Sequence, residues 1–359
     1  MPSPTTHQLA VEPTDAGERL DRYLAARLPE LSRTRIQELI EADLVLVGGK
    51  PSKGAHRLRA GEQIAVDAQN RPPLRAEPES IPLEVLHEDD DVIVVNKAAG
   101  MTVHAGAGNT RGTLVNALLG RGQALSRGGD ALRPGIVHRL DKETSGVILV
   151  AKNDFAHAKL GEAFRQRKVK KTYLALVEGL LEEKQGRIEL PIGRDLHRRT
   201  RMAVYGQKSG STQRANSPGS EWSANVREAR TDWRALAEVA SATLVEVQLH
   251  TGRTHQIRVH FSAIGHPVVG DTLYGASSPI SVSAGTRRGA SKNLEGVTMP
   301  HLGRNFLHAV RLGFTQPRTG AWVEVRAPLP AELHAFLTAL AVAADDDPRR
   351  IDAALAPYL

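Results

Sequence analysis

The chain has 359 residues, more than one ordinary domain requires, and its 41% hydrophobic content can furnish a substantial core. Lys and Arg number 47 against 40 Asp and Glu, and the formal charge of +7 favours a polyanionic partner, because cations that displace counterions from phosphates gain affinity whatever the sequence bound. Cysteine is absent, which excludes disulfides, thiolate nucleophiles and sulfur-ligated zinc, and no apolar run nears the roughly 18–20 residues of a spanning helix, so a soluble cytoplasmic protein is expected, with no membrane partner.

Residues 1–15, polar and proline-bearing, read as a flexible tail. Leu20, Tyr23, Leu24 and Leu28 then fall at helical spacing, and Ser32 is placed to cap a second helix whose apolar face is Ile36, Leu39 and Ile40. Leu44 to Val47 reads as a strand, Gly48-Gly49 as a tight turn and Gln63 to Val66 as a returning strand. A proline-rich break follows, so residues 16–75 are predicted to form a small module and residues 76–82 a linker. The module carries eleven Lys and Arg against eight Asp and Glu. Arg33 and Arg35 at the start of the second helix, with Lys50, Lys53, Arg57 and Arg59 after the turn, could form one phosphate-binding face; a solvated basic surface is the other reading.

From Ile81 the pattern becomes strand-like: Val92 to Val95, Gly146 to Ala151, Thr172 to Val177, Ala242 to Leu249 and Trp322 to Val325. Asp154 is placed to cap a helix running to about Lys168, and Thr254 another with apolar face Ile257, Phe261 and Ile264 that ends at Gly265. Strands with occasional helices predict an α+β domain over 83–340, with loops near 206–227 and 277–299 and a C-terminal tail over 341–359.

Three segments carry chemistry. The first, His138 to Gly146 (HRLDKETSG), packs charge directly before an apolar strand; either Asp141 is functional or it accepts backbone hydrogen bonds in a turn. In the second, Lys170 to Val177 (KKTYLALV), alternation puts Tyr173 on one strand face; its ring could stack on a base, or be a core residue with a satisfied hydroxyl. The third, Thr251 to His260 (TGRTHQIRVH), is a strand-to-helix junction that points backbone N–H groups outward, where an anion is welcome, and Arg258 could equally make a surface salt bridge. His250, His255 and His260 do not predict a metal site, since a five-residue separation sets side chains about 140° apart on a helix.

HRLDKETSG, KKTYLALVEG and GRTHQIRVH resemble, in order, the three core motifs of the RluA/RluD-type pseudouridine synthases. NKAAGMTVHAGAGNTRGTLVNAL, HPVVGDTLYG and NFLHAVRLGF extend the likeness to the large-subunit ribosomal RNA subgroup that contains the D enzyme, and residues 16–67 look like an S4 RNA-binding domain. The resemblance implies the pseudouridine synthase fold, a mixed, mainly antiparallel sheet with a central cleft and flanking helices, behind an N-terminal S4 (αL-type) domain. It implies Asp141 as nucleophile, Arg258 as its basic partner, and Tyr173 and Ile257 on either side of the target uracil, Tyr173 also being linked to removal of the C5 proton. Arg139 would fill the space that the extruded nucleotide leaves, with His138 and Arg253 also at the substrate. It implies RNA as partner, 23S ribosomal RNA first, and no metal or other cofactor; a monomer is expected, though not from any motif. Ala99 and Ala105 depart from the family, which in many members has proline there. The alternatives are a non-catalytic S4-containing RNA-binding or ribosome-assembly protein, and a synthase acting on transfer RNA. A hydrolase using His138 and Asp141 is weaker still, since no serine stands in a nucleophile-elbow setting.

Overall fold

The computed structural model describes residues 6–29, 31, 33–68, 76–106, 110–126, 133–196, 198, 200–206, 226–277 and 301–358. The chain divides into two units, Met1–Arg75 and Ala76–Leu359, each with its own core.

The first unit comprises β1 (Thr6–Ala10), α1 (Leu20–Arg27), α2 (Arg33–Glu41), β2 (Val45–Val47), β3 (Lys50–Pro51) and β4 (Gln63–Asp67). Leu20, Tyr23 and Leu24 of α1 and Ile36, Leu39 and Ile40 of α2 are buried in one cluster with Ile64 and Val66, as their spacing predicts. Gly48 and Gly49, at φ 57° and 80°, form the two-residue turn that pairs Val47 with Lys50, a geometry that asks for positive φ at both positions. The expected N-terminal tail is corrected: residues 6–10 pair with β4 from Thr6↔Asp67 to Ala10↔Gln63, giving the sheet order β1-β4-β2-β3. An open edge of β4 supplies the hydrogen bonds, and Leu9 and Val11 pack on the core, a partnership that local composition does not reveal. The proposed cap Ser32 lies outside the described residues.

The second unit comprises β5 (Glu84–Glu88), β6 (Val92–Lys97), α3 (Leu114–Gly120), β7 (Ser145–Ala151), α4 (Asp154–Arg165), β8 (Lys170–Glu178), β9 (Gln185–Ile188), β10 (Ile192–Arg194), β11 (Met202–Val204), β12 (Thr231–Val239), β13 (Ala242–Leu249), α5 (Gln256–Ala263), β14 (Leu307–Thr315), β15 (Trp322–Arg326), α6 (Ala331–Ala343) and α7 (Arg349–Leu355). A sheet in the order β5-β6-β7-β14-β8-β13-β12-β9, with β15 also on β14, forms its centre, and β14 with β7 is its parallel pair. Alternation sorts the strands' side chains. Ile93, Val95, Ile148, Val150, Tyr173 and Ala175 meet α3 and α5 on one face. Val94, Val147 and Leu149 meet α4 on the other, where Leu174 and Leu176 meet α6 and α7. This is an α+β domain.

Further corrections concern boundaries. Residues 76–82 are not a free linker: Glu79 N–H donates to Asn116 O, and the Asn116 amide donates to Glu77 O, so the segment is docked on α3. Residues 341–359 are not a tail, since Ile351 and Leu355, one helical turn apart on α7, and Tyr358 are buried against α6. Asn153, not Asp154, caps α4 by accepting from Ala156 N–H at 2.9 Å. Thr254 does not cap α5; its N-cap is His255, held at φ 55°. The two expected loops fall mostly on 207–225 and 278–300, outside the described residues.

Candidate active site

Three central strands and one helix bring the three sequence motifs together. Asp141 lies in the loop that enters β7, Tyr173 is on β8, the start of β14 lies between those strands, and α5 carries Ile257 and Arg258. Gly146 permits this closeness: a Cβ there, at φ 115°, would lie 2.2 Å from Ala309 O of β14.

The loop is pinned through its own carbonyls. Thr144 N–H donates to Asp141 O at 3.1 Å, and Gly100 N–H and Lys97 Nζ donate to Lys142 O at 2.9 and 3.1 Å. Arg304 Nη1 donates to Glu143 O at 3.1 Å. Lys97 is fully buried, also donates to Ala98 O and Met101 O, and is pushed down to about 7 by that burial. Backbone N–H groups and the Lys97 and Arg304 side chains therefore hold the loop by its carbonyls, and the Asp141 carboxylate faces a cation. That cation is Arg258, whose Nη1 donates to Asp141 Oδ2 at 3.3 Å.

Arg258 is itself fixed. Its Nε and Nη2 donate to the two oxygens of Asp271 at 2.6 and 2.9 Å, a two-point grip on a side chain with almost no exposure. Its guanidinium also lies 4.9 Å from the centre of the Tyr274 ring. Burial opposes its charge, while Asp271 and Asp141 hold its proton and raise its pKa. Gly270 makes this turn possible, since at φ 79° a Cβ would lie 2.1 Å from Arg304 O. The neighbouring α5 terminus is organised by the Gln256 side chain, whose Oε1 accepts from Arg253 N–H at 3.0 Å and from Thr251 Oγ1 at 2.7 Å.

His255 Nε2 stands 4.0 Å from Asp141 Oδ1, and its Nδ1 is 2.8 Å from the Tyr274 hydroxyl. Because Met202 N–H donates to that hydroxyl oxygen, the phenol proton is available to His255 Nδ1, which leaves Nε2–H turned to Asp141. Desolvation lowers the His255 pKa and so favours this neutral form.

A cavity of about 610 Å³ unites these groups; Asp141, Tyr173, Ile257, Arg258 and Leu307 line it. Tyr173 packs its ring in the core. Burial, then the charge of Asp141, raise its pKa and oppose ionisation. Arg139, Arg253 and His138 also line the cavity. Arg139 is exposed, and Arg253 Nε donates to Glu228 O at 3.0 Å. His138 is tied into the scaffold: Leu149 N–H donates to its Nε2 at 2.9 Å, its ring stacks 4.8 Å from Phe164, and burial pushes it down to about 3.

His250, His255 and His260 have separate partners in Asp232, Tyr274 and the Thr231–Leu190 pair, and among the described residues no group of three or more His, Asp and Glu could hold a metal ion. In the first unit Lys50, Lys53 and Arg57 are exposed, and Arg57 Nη1 donates to Gly17 O at 2.8 Å, so it has a structural bond as well. The side chains of Arg33 and Arg35 lie outside the described residues, so no single basic face can be traced. Sequence reasoning missed Asp271, His255, Tyr274, Lys97 and Arg304 as site residues. Asp271 and Tyr274 sit in the GDTLYG segment, where a glycine before an aspartate was the available signal.

Residues 91–263 match the family model described as RNA pseudouridylate synthase, and residues 18–64 match the S4 domain. An uncharacterized RNA pseudouridine synthase of Aquifex aeolicus is 41% identical over 85% of this chain and 88% of its own length. The ribosomal large subunit pseudouridine synthase D of Nitrosomonas europaea is 41% identical over 93% of this chain and 88% of its own. Among solved structures, human RNA pseudouridylate synthase domain containing 4 superposes with a TM-score of 0.52 at 25% identity, over 72% of this chain and 92% of that one. No helix among the described residues is long and apolar enough to cross a membrane.

Proposed function

The chain belongs to the RNA pseudouridine synthase family, and from that premise we propose that it isomerises uridines in 23S ribosomal RNA with Asp141 as nucleophile. The observation that carries this reading is the Asp141 carboxylate, aligned by Arg258 and sharing one cavity with the Tyr173 ring and Ile257. The ribosomal target is supported by the likeness to synthase D of Nitrosomonas europaea, whose name places its action on the large ribosomal subunit, and by the S4 match.

The reaction breaks N1–C1′, joins C5 to C1′, moves a proton off C5 and returns one to N1, so it is redox-neutral and consumes no water. The uridine must first leave its stack, at a cost of a few kcal/mol. Arg139, exposed at the cavity, would fill the vacated space. Arg258, anchored by Asp271, keeps Asp141 ionised and aimed, and His255 Nε2–H faces its other oxygen. Asp141 then attacks C1′ or takes a ribose proton to give a glycal. Tyr173 and Ile257 hold the freed uracil between apolar surfaces while it turns. Since burial and Asp141 both oppose a phenolate, Tyr173 stays a neutral phenol: as it takes the C5 proton it passes its own on, and N1 is the position that gains one.

Replacing Asp141 with Ala is expected to abolish pseudouridine formation in 23S rRNA while leaving RNA affinity close to the parent's. Pseudouridine mapping in cells lacking the protein reads the target, and loss of sites in transfer RNA alone would overturn the ribosomal assignment.

A further inference from the structure

Besides Arg258, the cavity is lined by Arg139, Arg165, Arg167, Lys171 and Arg253, and Asp141 is the one carboxylate among its described lining residues. Three of these cations converge from different elements: Arg167 just past α4, Lys171 at the start of β8, and Arg253 before α5. Their protein partners are weak. Lys171 Nζ reaches Thr251 O at 3.3 Å, and Arg167 reaches the 89% exposed carboxylate of Glu228 at 4.0 Å. Arg253 meets Glu228 through its backbone carbonyl. Burial first, and then each other's charge, disfavour protonation: Arg253 is lowered with Arg227 and Arg167 as contributors, and Lys171 goes down to about 8 with Arg253 as contributor. The fold thus crowds like charges, with only the exposed Glu228 carboxylate beside two of them.

Arg167 adds a backbone argument. Lys168 N–H donates to Ala163 O and Arg167 N–H to Phe164 O, the two bonds that close a helix with a left-handed residue, and Arg167 takes that place at φ 59°. Glycine would fill it without strain, so an arginine here bears a backbone penalty that its side chain must justify.

We propose that Arg167, Lys171 and Arg253 form a phosphate subsite at the cavity, gripping the RNA backbone beside the extruded nucleotide. A phosphodiester is the anion these groups would meet, because two guanidinium forks and an ammonium match its several acceptor oxygens, and it arrives joined to the nucleoside that the cavity takes. The inference rests on the RNA-modifying reading. It assigns the grip that offsets extrusion to residues other than the Asp141–Arg258 pair.

The test measures binding of a short oligouridylate to the full chain across a salt series. Arg167→Gly is expected to raise the melting temperature of its unit by ~1–3 °C through relief of the left-handed strain, and yet to weaken binding about tenfold and reduce the slope of log affinity against log salt by about 0.7, one single-strand contact. Arg253→Gln should give the same loss of affinity and slope. Arg326→Gln, on exposed β15, should change neither. An oligouridylate carrying one neutral methylphosphonate linkage should bind the parent less tightly and bind Arg167→Gly no worse than the unmodified probe. Parent-like affinity and slope in both Arg167→Gly and Arg253→Gln would overturn the subsite. Asp141→Ala separates the two readings: retained turnover there sinks the catalytic assignment and leaves the salt slopes to decide the subsite.

Discussion

Asp141, Tyr173 and Arg258 were legible as residues because each sits in a contiguous motif, but what holds Arg258 was not. Asp271 lies thirteen residues away through a turn that depends on Gly270, and nothing in the α5 pattern points to it. Arg258→Lys should lower the single-turnover rate about 100-fold, since an ammonium cannot span Asp271 and Asp141 as the planar fork does. Asp271→Asn should lower it too and also destabilise the fold by about 3 kcal/mol, by leaving a buried guanidinium short of its counter-charge. An equal rate in Arg258→Lys would remove the orienting role. Buried His308 gives a prediction in pH. Arg304 Nη2 donates to Ser145 Oγ at 3.1 Å, Ser145 Oγ lies 2.9 Å from His308 Nδ1, and His308 Nε2 lies 3.2 Å from Ala327 O. Burial takes its pKa from the ordinary 6.5 down to about 4. The unfolded chain therefore binds more protons between those values, and stability falls as pH drops from 6.5 towards 4, levelling off below. The loss is about 3 kcal/mol from this group at 1.36 kcal/mol per unit. The gap between denaturation midpoints at pH 7 and 4.5 should narrow in His308→Gln, the remainder coming from other buried histidines such as His138; an undiminished pH dependence in that variant would remove His308 as a source.

Among the elements, those with long unbroken apolar runs were readable: β6, β7, β8 and β13 fall where their Val, Ile and Leu clusters predicted. Others were hidden by their surroundings. β12 carries Asp232, Arg234 and Glu238 in an alternating strand, and α7 follows an acidic run and a proline, so local polarity masked elements that the sheet and α6 stabilise. The place of β14 between β7 and β8 was also out of reach, because a late segment inserted into the middle of a sheet is a fact of topology, not of periodicity. Gly146→Ala tests that insertion. With its Cβ 2.2 Å from Ala309 O, the variant must push β14 away from β7 or refuse to fold. A fall in melting temperature on the order of 10 °C, or loss of soluble protein, is expected, and an unchanged melting temperature would show that the strands have room to spare.

At the scale of the whole molecule, the two units keep separate hydrophobic clusters: Leu20, Leu24, Leu39 and Ile64 in one, and the sheet with α3 to α7 in the other. The groups of the proposed reaction all belong to the second unit, as do Arg167, Lys171 and Arg253. The first unit matches the S4 domain and adds exposed Lys50 and Lys53. The proposed reaction thus assigns the chemistry to one unit and predicts added RNA affinity from the other. A chain begun at Ala76 should retain its own core, since none of the clustered residues of the second unit is lost. On saturating RNA its maximal rate is expected within about threefold of the full chain's, whereas its affinity for 23S rRNA should drop ten- to a hundredfold at physiological salt, and its salt slope should shrink by the contacts removed. The comparison separates two accounts of the N-terminal unit. If the shortened chain folds cooperatively but its rate at saturation collapses, the first unit contributes to the geometry of the reaction and not to affinity alone.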